Sequence, residues 1–141
     1  MQFVVEFKYL GHIILHNMSD NADIDREIRN MFFRANILVR KFSKCSVTVK
    51  IQLFKSFCIN LYGSALWHQY SARTLYRLQS CYNKCMKILF GYRKHYSVTT
   101  TLLELQLPSF HTVLLNSMSV FRGMWAKCNN SIVQFLYSLS V

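Results

Sequence analysis

Residues 24–42, IDREIRNMFFRANILVRKF, decide the fold. Ile24, Ile28, Met31, Phe32, Ala35, Leu38, Val39 and Phe42 recur at three- and four-residue steps, the spacing that gathers side chains on one stripe of an α-helix. Arg26, Arg29, Arg40 and Lys44 fall together on the same wheel, with Arg34 and Lys41 beside them, away from that stripe. The segment is therefore read as a helix with a core face and a cationic face. Asp23, Asp25 and Glu27 sit in its first turns, where carboxylates favour the positive end of the helix dipole.

On the N-terminal side, Phe3 to Leu15 is rich in β-branched and aromatic residues around Gly11, which predicts one strand or a tight hairpin. A polar break from Asn17 to Asn21 separates it from the helix. On the other side the apolar period resumes from Val47 to Trp67 through Ile51, Phe54, Cys58, Leu61 and Ala65, predicting a second helix with a buried end. Gly63 and Ser64 would let a neighbouring helix approach it. A third helix is expected from about Arg73 to Phe90, stopped at Gly91. Tyr92 to Thr101 reads as a basic loop, Leu102 to Leu107 as a short helical turn ended by Pro108, and Ser109 to Trp125 as a further amphipathic helix. The tail from Asn129 is weakly defined. The expected class is mainly α: a short N-terminal β-strand or hairpin followed by a bundle of about four helices.

Lys and Arg number 17 against 6 Asp and Glu, a net charge of +11 with a pI near 9.7, which points to a polyanionic partner such as nucleic acid or an acidic membrane surface. No acidic residue lies between Glu27 and Glu104. A chain that is 52% hydrophobic with one Pro and four Gly has the composition of a folded domain, so this charge is displayed on a surface. Five cysteines with no secretory signal point to free thiols in a reducing compartment, nucleus or cytoplasm. The charge-free stretch from Ser56 to Ala72 is interrupted by Asn60, Ser64, His68, Gln69 and Ser71, which suits a buried helix better than a membrane span.

The sequence resembles the C-terminal part of non-LTR (LINE-type) retrotransposon reverse transcriptases, nearest their jockey-like branch. Phe7-Lys8-Tyr9-Leu10-Gly11 is similar to the strand that closes the palm before the thumb. The family's order then continues through Val49-Lys50-Ile51-Gln52-Leu53-Phe54-Lys55-Ser56 and Leu61-Tyr62-Gly63-Ser64-Ala65-Leu66-Trp67. Tyr82-Asn83-Lys84, Met86-Lys87-Ile88-Leu89-Phe90-Gly91 and Leu107-Pro108-Ser109-Phe110 complete it. The resemblance implies a residual palm strand over 1–17, a thumb and C-terminal helical region over 18–128, and a tail over 129–141. It implies a truncated RNA-directed DNA polymerase that grips a primer–template duplex or RNA–DNA hybrid without sequence preference and otherwise partners the missing palm. The parent polymerase uses Mg²⁺ held by an Asp-Asp motif and an upstream Asp. No Asp-Asp pair occurs here, so the span is expected to hold no cofactor, take no small-molecule substrate and be inactive alone.

Candidate nucleic-acid contacts are Arg34, Arg40, Lys41, Lys44, Lys50 and Lys55, clustered at one helix–turn–helix corner without acidic neighbours. Arg93 and Lys94 form a second candidate with Tyr92, His95 and Tyr96, a cluster that either stacks on bases or is a plain loop. Arg26 and Lys127 read as solvated charges. The carboxylates from Asp20 to Glu27 lack the Gly and distal Glu of a calcium loop, and no Cys or His spacing completes a zinc pattern. A stand-alone basic binding module and a small membrane protein anchored by Ser56 to Ala72 are the competing readings.

Overall fold

The computed structural model describes residues 3–140 and is mainly helical with an N-terminal antiparallel hairpin. Strands β1 (Glu6–Tyr9) and β2 (His12–Leu15) pair with Phe7 opposite Ile14 and Tyr9 opposite His12. Leu10 (φ 46°) and Gly11 (φ 84°) both take left-handed conformations, as a two-residue turn matched to strand twist requires. β1 is exposed along its length, whereas His12, Ile13 and Leu15 of β2 are half-buried.

Among the described residues six α-helices follow: α1 (Asn21–Phe42), α2 (Val47–Phe57), α3 (Ala72–Phe90), α4 (Val98–Leu105), α5 (Phe110–Ala126) and α6 (Ser131–Ser140). Four of them begin at a serine whose hydroxyl accepts an early amide of the helix: Ser46 from Val49, Ser71 from Thr74, Ser97 from Thr100 and Ser109 from Thr112. Each such cap satisfies an amide that the helix itself cannot, typically stabilising by about 1 kcal/mol. Gly91 ends α3 at φ 75° with amides of Gly91 and Tyr92 returning to Ile88 and Lys87, the stop the sequence predicted.

α1 and α3 pack side by side, with Ile24, Ile28, Met31, Ala35 and Leu38 of α1 buried with Leu78, Cys81, Tyr82 and Cys85 of α3. Phe54 of α2 is fully buried, 5.6 Å from the Tyr82 ring and 6.1 Å from Phe90; Phe110 of α5 lies 6.0 Å from Tyr82. The Tyr82 hydroxyl, deep in this aromatic group, donates to the Pro108 carbonyl at 2.8 Å, so no polar atom is stranded. Phe32, Val39 and Phe42, expected on the core stripe, are only half-buried at its edge, and Lys84 lies over the Phe32 ring.

Three expectations are corrected. The second helix stops at Phe57, not Trp67: the amides of Cys58 and Ile59 both return to Phe54, and Gly63 turns left-handed (φ 78°) before a single 3-10 turn at Ser64–Leu66. Cys58, Leu61, Ser64 and Trp67 are buried nonetheless, which is why the apolar period persists through a segment that is not helical. The expected loop after Gly91 is shorter, because Ser97 caps α4. The tail beyond Asn129 forms α6, started by the Asn130 side chain accepting from the Ile132 and Val133 amides. Among the described residues no helix is long and apolar enough to cross a membrane.

Candidate nucleic-acid interface

The cations at the α1–α2 corner are not all displayed alike. Arg40 and Lys41 are exposed in the last turn of α1, and Lys44 is exposed in the turn that follows. Five residues separate Lys50 from Lys55, so they point about 140° apart around α2, the first half-buried and the second exposed. Arg34 turns inward: its guanidinium pairs with Glu27, whose carboxylate is fully buried, and its Nε is buried without a partner among the described residues. Among the described residues Arg40, Lys41, Lys44, Lys50, Lys55, Arg93 and Lys94 have no acidic group within ion-pair distance. Arg40, Lys41 and Lys55 also stand at helix C-termini, where a cation stabilises the dipole whatever else it does.

The solvent face of α1 is not purely cationic. Phe33 is 68% exposed and Ile37 36% exposed, one turn apart between Arg29 and Arg40.

The loop after α3 is built, not loose. The Lys87 ammonium donates to the carbonyls of Lys94 (2.9 Å) and Tyr96 (2.6 Å). Both tyrosine hydroxyls, of Tyr92 and Tyr96, donate to Glu104 at 2.7 Å, and the two rings stack at 5.2 Å. The hydrogen bond to Glu104 pushes the Tyr92 hydroxyl up to about 12, and the two donated bonds hold the Glu104 carboxyl below its ordinary value. Arg93, Lys94 and His95 are left exposed at the tip.

The carboxylates at the start of α1 have work that their sequence position did not disclose. Asp23, 3% exposed, receives Ile13 N (2.9 Å) and Arg26 Nε (2.7 Å) on one oxygen, and His12 Nδ1 and Trp67 Nε1 (both 2.9 Å) on the other. Burial pushes this carboxyl up, but the bonds from Arg26, Trp67, His12 and Ile13 outweigh it and hold it well below the carboxylate range. Arg26, read as solvated, is instead enclosed between Asp23 and Glu27. Asp20 accepts from the His68 and Gln69 amides (2.7 and 2.8 Å), and Asn21 from Ser71. These groups bind β2 and the 67–71 segment to α1.

The His12–Asp23 pair has the shape of a general-base dyad, but its carboxylate is saturated and its imidazole is stacked on Tyr62 at 4.9 Å with Gly63 against it. Its role is structural. All five cysteines are free, and burial pushes the Cys58 thiol up to about 11, against thiolate formation. Among the described residues no group of three or more His, Cys, Asp or Glu is arranged to hold a metal ion.

Pieces of sequence far apart in the chain meet here. The Tyr62 hydroxyl donates to the Leu10 carbonyl across 52 residues, joining the Phe7–Gly11 motif to the Leu61–Trp67 motif, and Tyr82 reaches Pro108 across 26. No protein-family model, curated protein or solved structure matches this chain.

Proposed function

We propose that this chain is a thumb-type nucleic-acid-binding part of a non-LTR retrotransposon reverse transcriptase, without polymerase chemistry of its own. The observation that carries the reading is electrostatic. Through a span with no acid from Ile28 to Leu103, Arg40, Lys41, Lys44 and Lys55 are exposed and lack an acidic partner among the described residues. Cations in this state gain by replacing condensed counterions on a phosphate backbone, which supplies affinity and orientation with little sequence preference. The parentage rests on the ordered motifs; that two pairs of them are joined by hydrogen bonds agrees with their belonging to one structural unit. With no Asp-Asp pair, template-directed nucleotide addition with Mg²⁺ or Mn²⁺ is not expected.

A salt titration of duplex and hybrid binding tests the reading. With about four phosphate contacts, log K should fall against log salt with a slope of roughly −3 to −4. A variant with Lys41, Lys44, Lys50 and Lys55 changed to Gln should show a flatter slope while remaining folded. Salt-insensitive binding, or none, overturns the nucleic-acid reading. An unchanged slope in the variant moves the contacts to Arg93 and Lys94. The parentage is tested separately by the DNA preceding the codon for Met1, which should encode the Asp-Asp palm motif, intact or frameshifted.

A further inference from the structure

α5 presents Met118, Phe121, Arg122 and Trp125 at three- and four-residue spacing toward the segment from Ala65 to Tyr70, leaving a cleft of about 480 Å³ that α6 closes with Tyr137. Its walls are aromatic to a degree a packing gap does not require: Tyr70, Phe121, Trp125 and Tyr137 line it, with Trp67 and His68 on the facing segment. The Phe121 and Trp125 rings lie 5.3 Å apart, tilted by 50°. The facing wall is fixed from behind, because Asp23 holds the Trp67 indole and Asp20 holds the amides of His68 and Gln69. Ser64 and Ser117, 2.9 Å apart, fasten the 3-10 turn to α5.

Among the residues lining this cleft the fixed charge is that of Arg122. Arg122 is exposed at the lining, none of the lining residues is acidic, and no acidic residue follows Glu104 anywhere in the chain. The two carboxylates behind the facing segment are engaged: Asp20 by two backbone amides, and Asp23 by Trp67, His12, Ile13 and Arg26. Aromatic faces with a guanidinium and no carboxylate suit a planar π-system attached to an anion and disfavour a cationic guest, which needs an acid-bearing cage. The volume falls within the range of small-molecule sites, large enough for one nucleotide.

We propose that this cleft takes one unstacked nucleobase of a single strand, with Tyr70, Phe121 and Trp125 supplying the stacking surface and Arg122 meeting the adjoining phosphate. The site is separate from the α1–α2 corner and reads a different feature of the polymer: a base face, not a duplex backbone. It rests on the reading that the polyanionic partner is nucleic acid, but not on the corner residues.

Both tryptophans of the chain line the cleft, so intrinsic emission reports on its occupancy. The full chain is titrated with deoxyadenosine monophosphate, with a short oligodeoxyadenylate, and with an abasic phosphodiester of equal length and charge. The base-bearing strand should quench emission and bind roughly tenfold tighter than the abasic one. Trp125→Leu should remove that preference and leave the duplex salt slope unchanged. Should Trp125→Leu fail to fold, Arg122→Gln at an exposed position serves: it should weaken both nucleotide ligands while preserving the quench at saturation. Equal, unquenched binding of abasic and base-bearing strands overturns the cleft proposal and leaves the duplex reading intact. Base-dependent quenching without salt-dependent duplex binding does the reverse. Quenching by anionic phospholipid vesicles but not by nucleotides overturns the cleft's assignment to a base.

Discussion

The Trp67 indole N–H donates to Asp23 at 2.9 Å across 44 residues of chain, meeting the same carboxylate oxygen as His12. One buried acid thus joins the hairpin, the first helix and the 67–71 segment, and it also fixes the wall of the aromatic cleft. Removing the acid leaves the indole N–H, the Ile13 amide and the Arg26 guanidinium without their acceptor in a buried setting. Asp23→Ala is therefore expected to cost about 3–5 kcal/mol. Trp67→Leu removes one donor of four but also a buried ring, so Trp67→Phe is the better partner, expected at about 1–2 kcal/mol. Urea denaturation of both variants checks this, and a wild-type midpoint for Asp23→Ala would show that the carboxylate holds nothing.

The same carboxylate makes stability depend on acid. Its folded value lies below that of the unfolded chain, so the unfolded state takes up the proton first as pH falls. The contribution is complete above an ordinary aspartate value of about 3.9 and is lost as pH falls below it toward the folded value. Thermal unfolding of wild type at successive pH values below 4 should show this decline. Asp23→Asn, less stable at neutral pH, should show a flatter one, and parallel curves would assign the acid sensitivity to other groups.

Local signals and distant contacts differ in how legible they are in the sequence. The α1 stripe and the Gly91 stop were legible because a period of 3.6 and a left-handed glycine are local signals. The end of α2 was not: Leu61, Ser64 and Trp67 are buried, Ser64 against Ser117 of α5 and Trp67 against Asp23 of α1, so their spacing imitates a helix that the backbone has left. The start of α2 at Val47 follows from the apolar period, whereas the start of α4 lies inside the stretch expected to be a loop and is marked locally by the Ser97 cap. Of the corner cations, spacing gave exposure for Arg40 and Lys41 but not the direction of Arg34, which is set by a buried Glu27 seven residues away. Asp23 was readable only as a helix-start acid, since three of its four main partners come from the hairpin and the 67–71 segment.

Gly63 and Gly91 allow two effects to be separated. Both are left-handed, at φ 78° and 75°. At Gly91 an added Cβ meets nothing within 4 Å, so Gly91→Ala is expected to cost only the conformational term of about 1 kcal/mol. At Gly63 the Cβ would fall within the His12 imidazole, which Asp23 and Tyr62 hold in place. Gly63→Ala should therefore cost clearly more than Gly91→Ala and should release the hairpin, seen as faster amide exchange at Ile13. Equal costs at the two positions would mean the imidazole moves aside freely.

Arg34 and Arg40 are six residues apart on one helix and should fail in opposite ways. Arg34 is the ion-pair partner of a fully buried Glu27 and is itself mostly covered, so Arg34→Gln leaves a buried charge with only Arg26 beside it. It should lower the unfolding midpoint markedly, by about 3 kcal/mol or more in stability, and leave the salt slope of duplex binding unchanged where both proteins are folded. Arg40 is exposed, with no acidic partner among the described residues, so Arg40→Gln should alter stability by no more than about 0.5 kcal/mol. Its effect should appear in binding, as a slope shallower by roughly 0.9. Paired denaturation and salt titrations decide the matter. A slope reduced by Arg34→Gln at unchanged stability would place that guanidinium on the phosphate backbone in the complex, released from Glu27. A slope untouched by Arg40→Gln would show that this end of α1 serves its own dipole and not the nucleic acid.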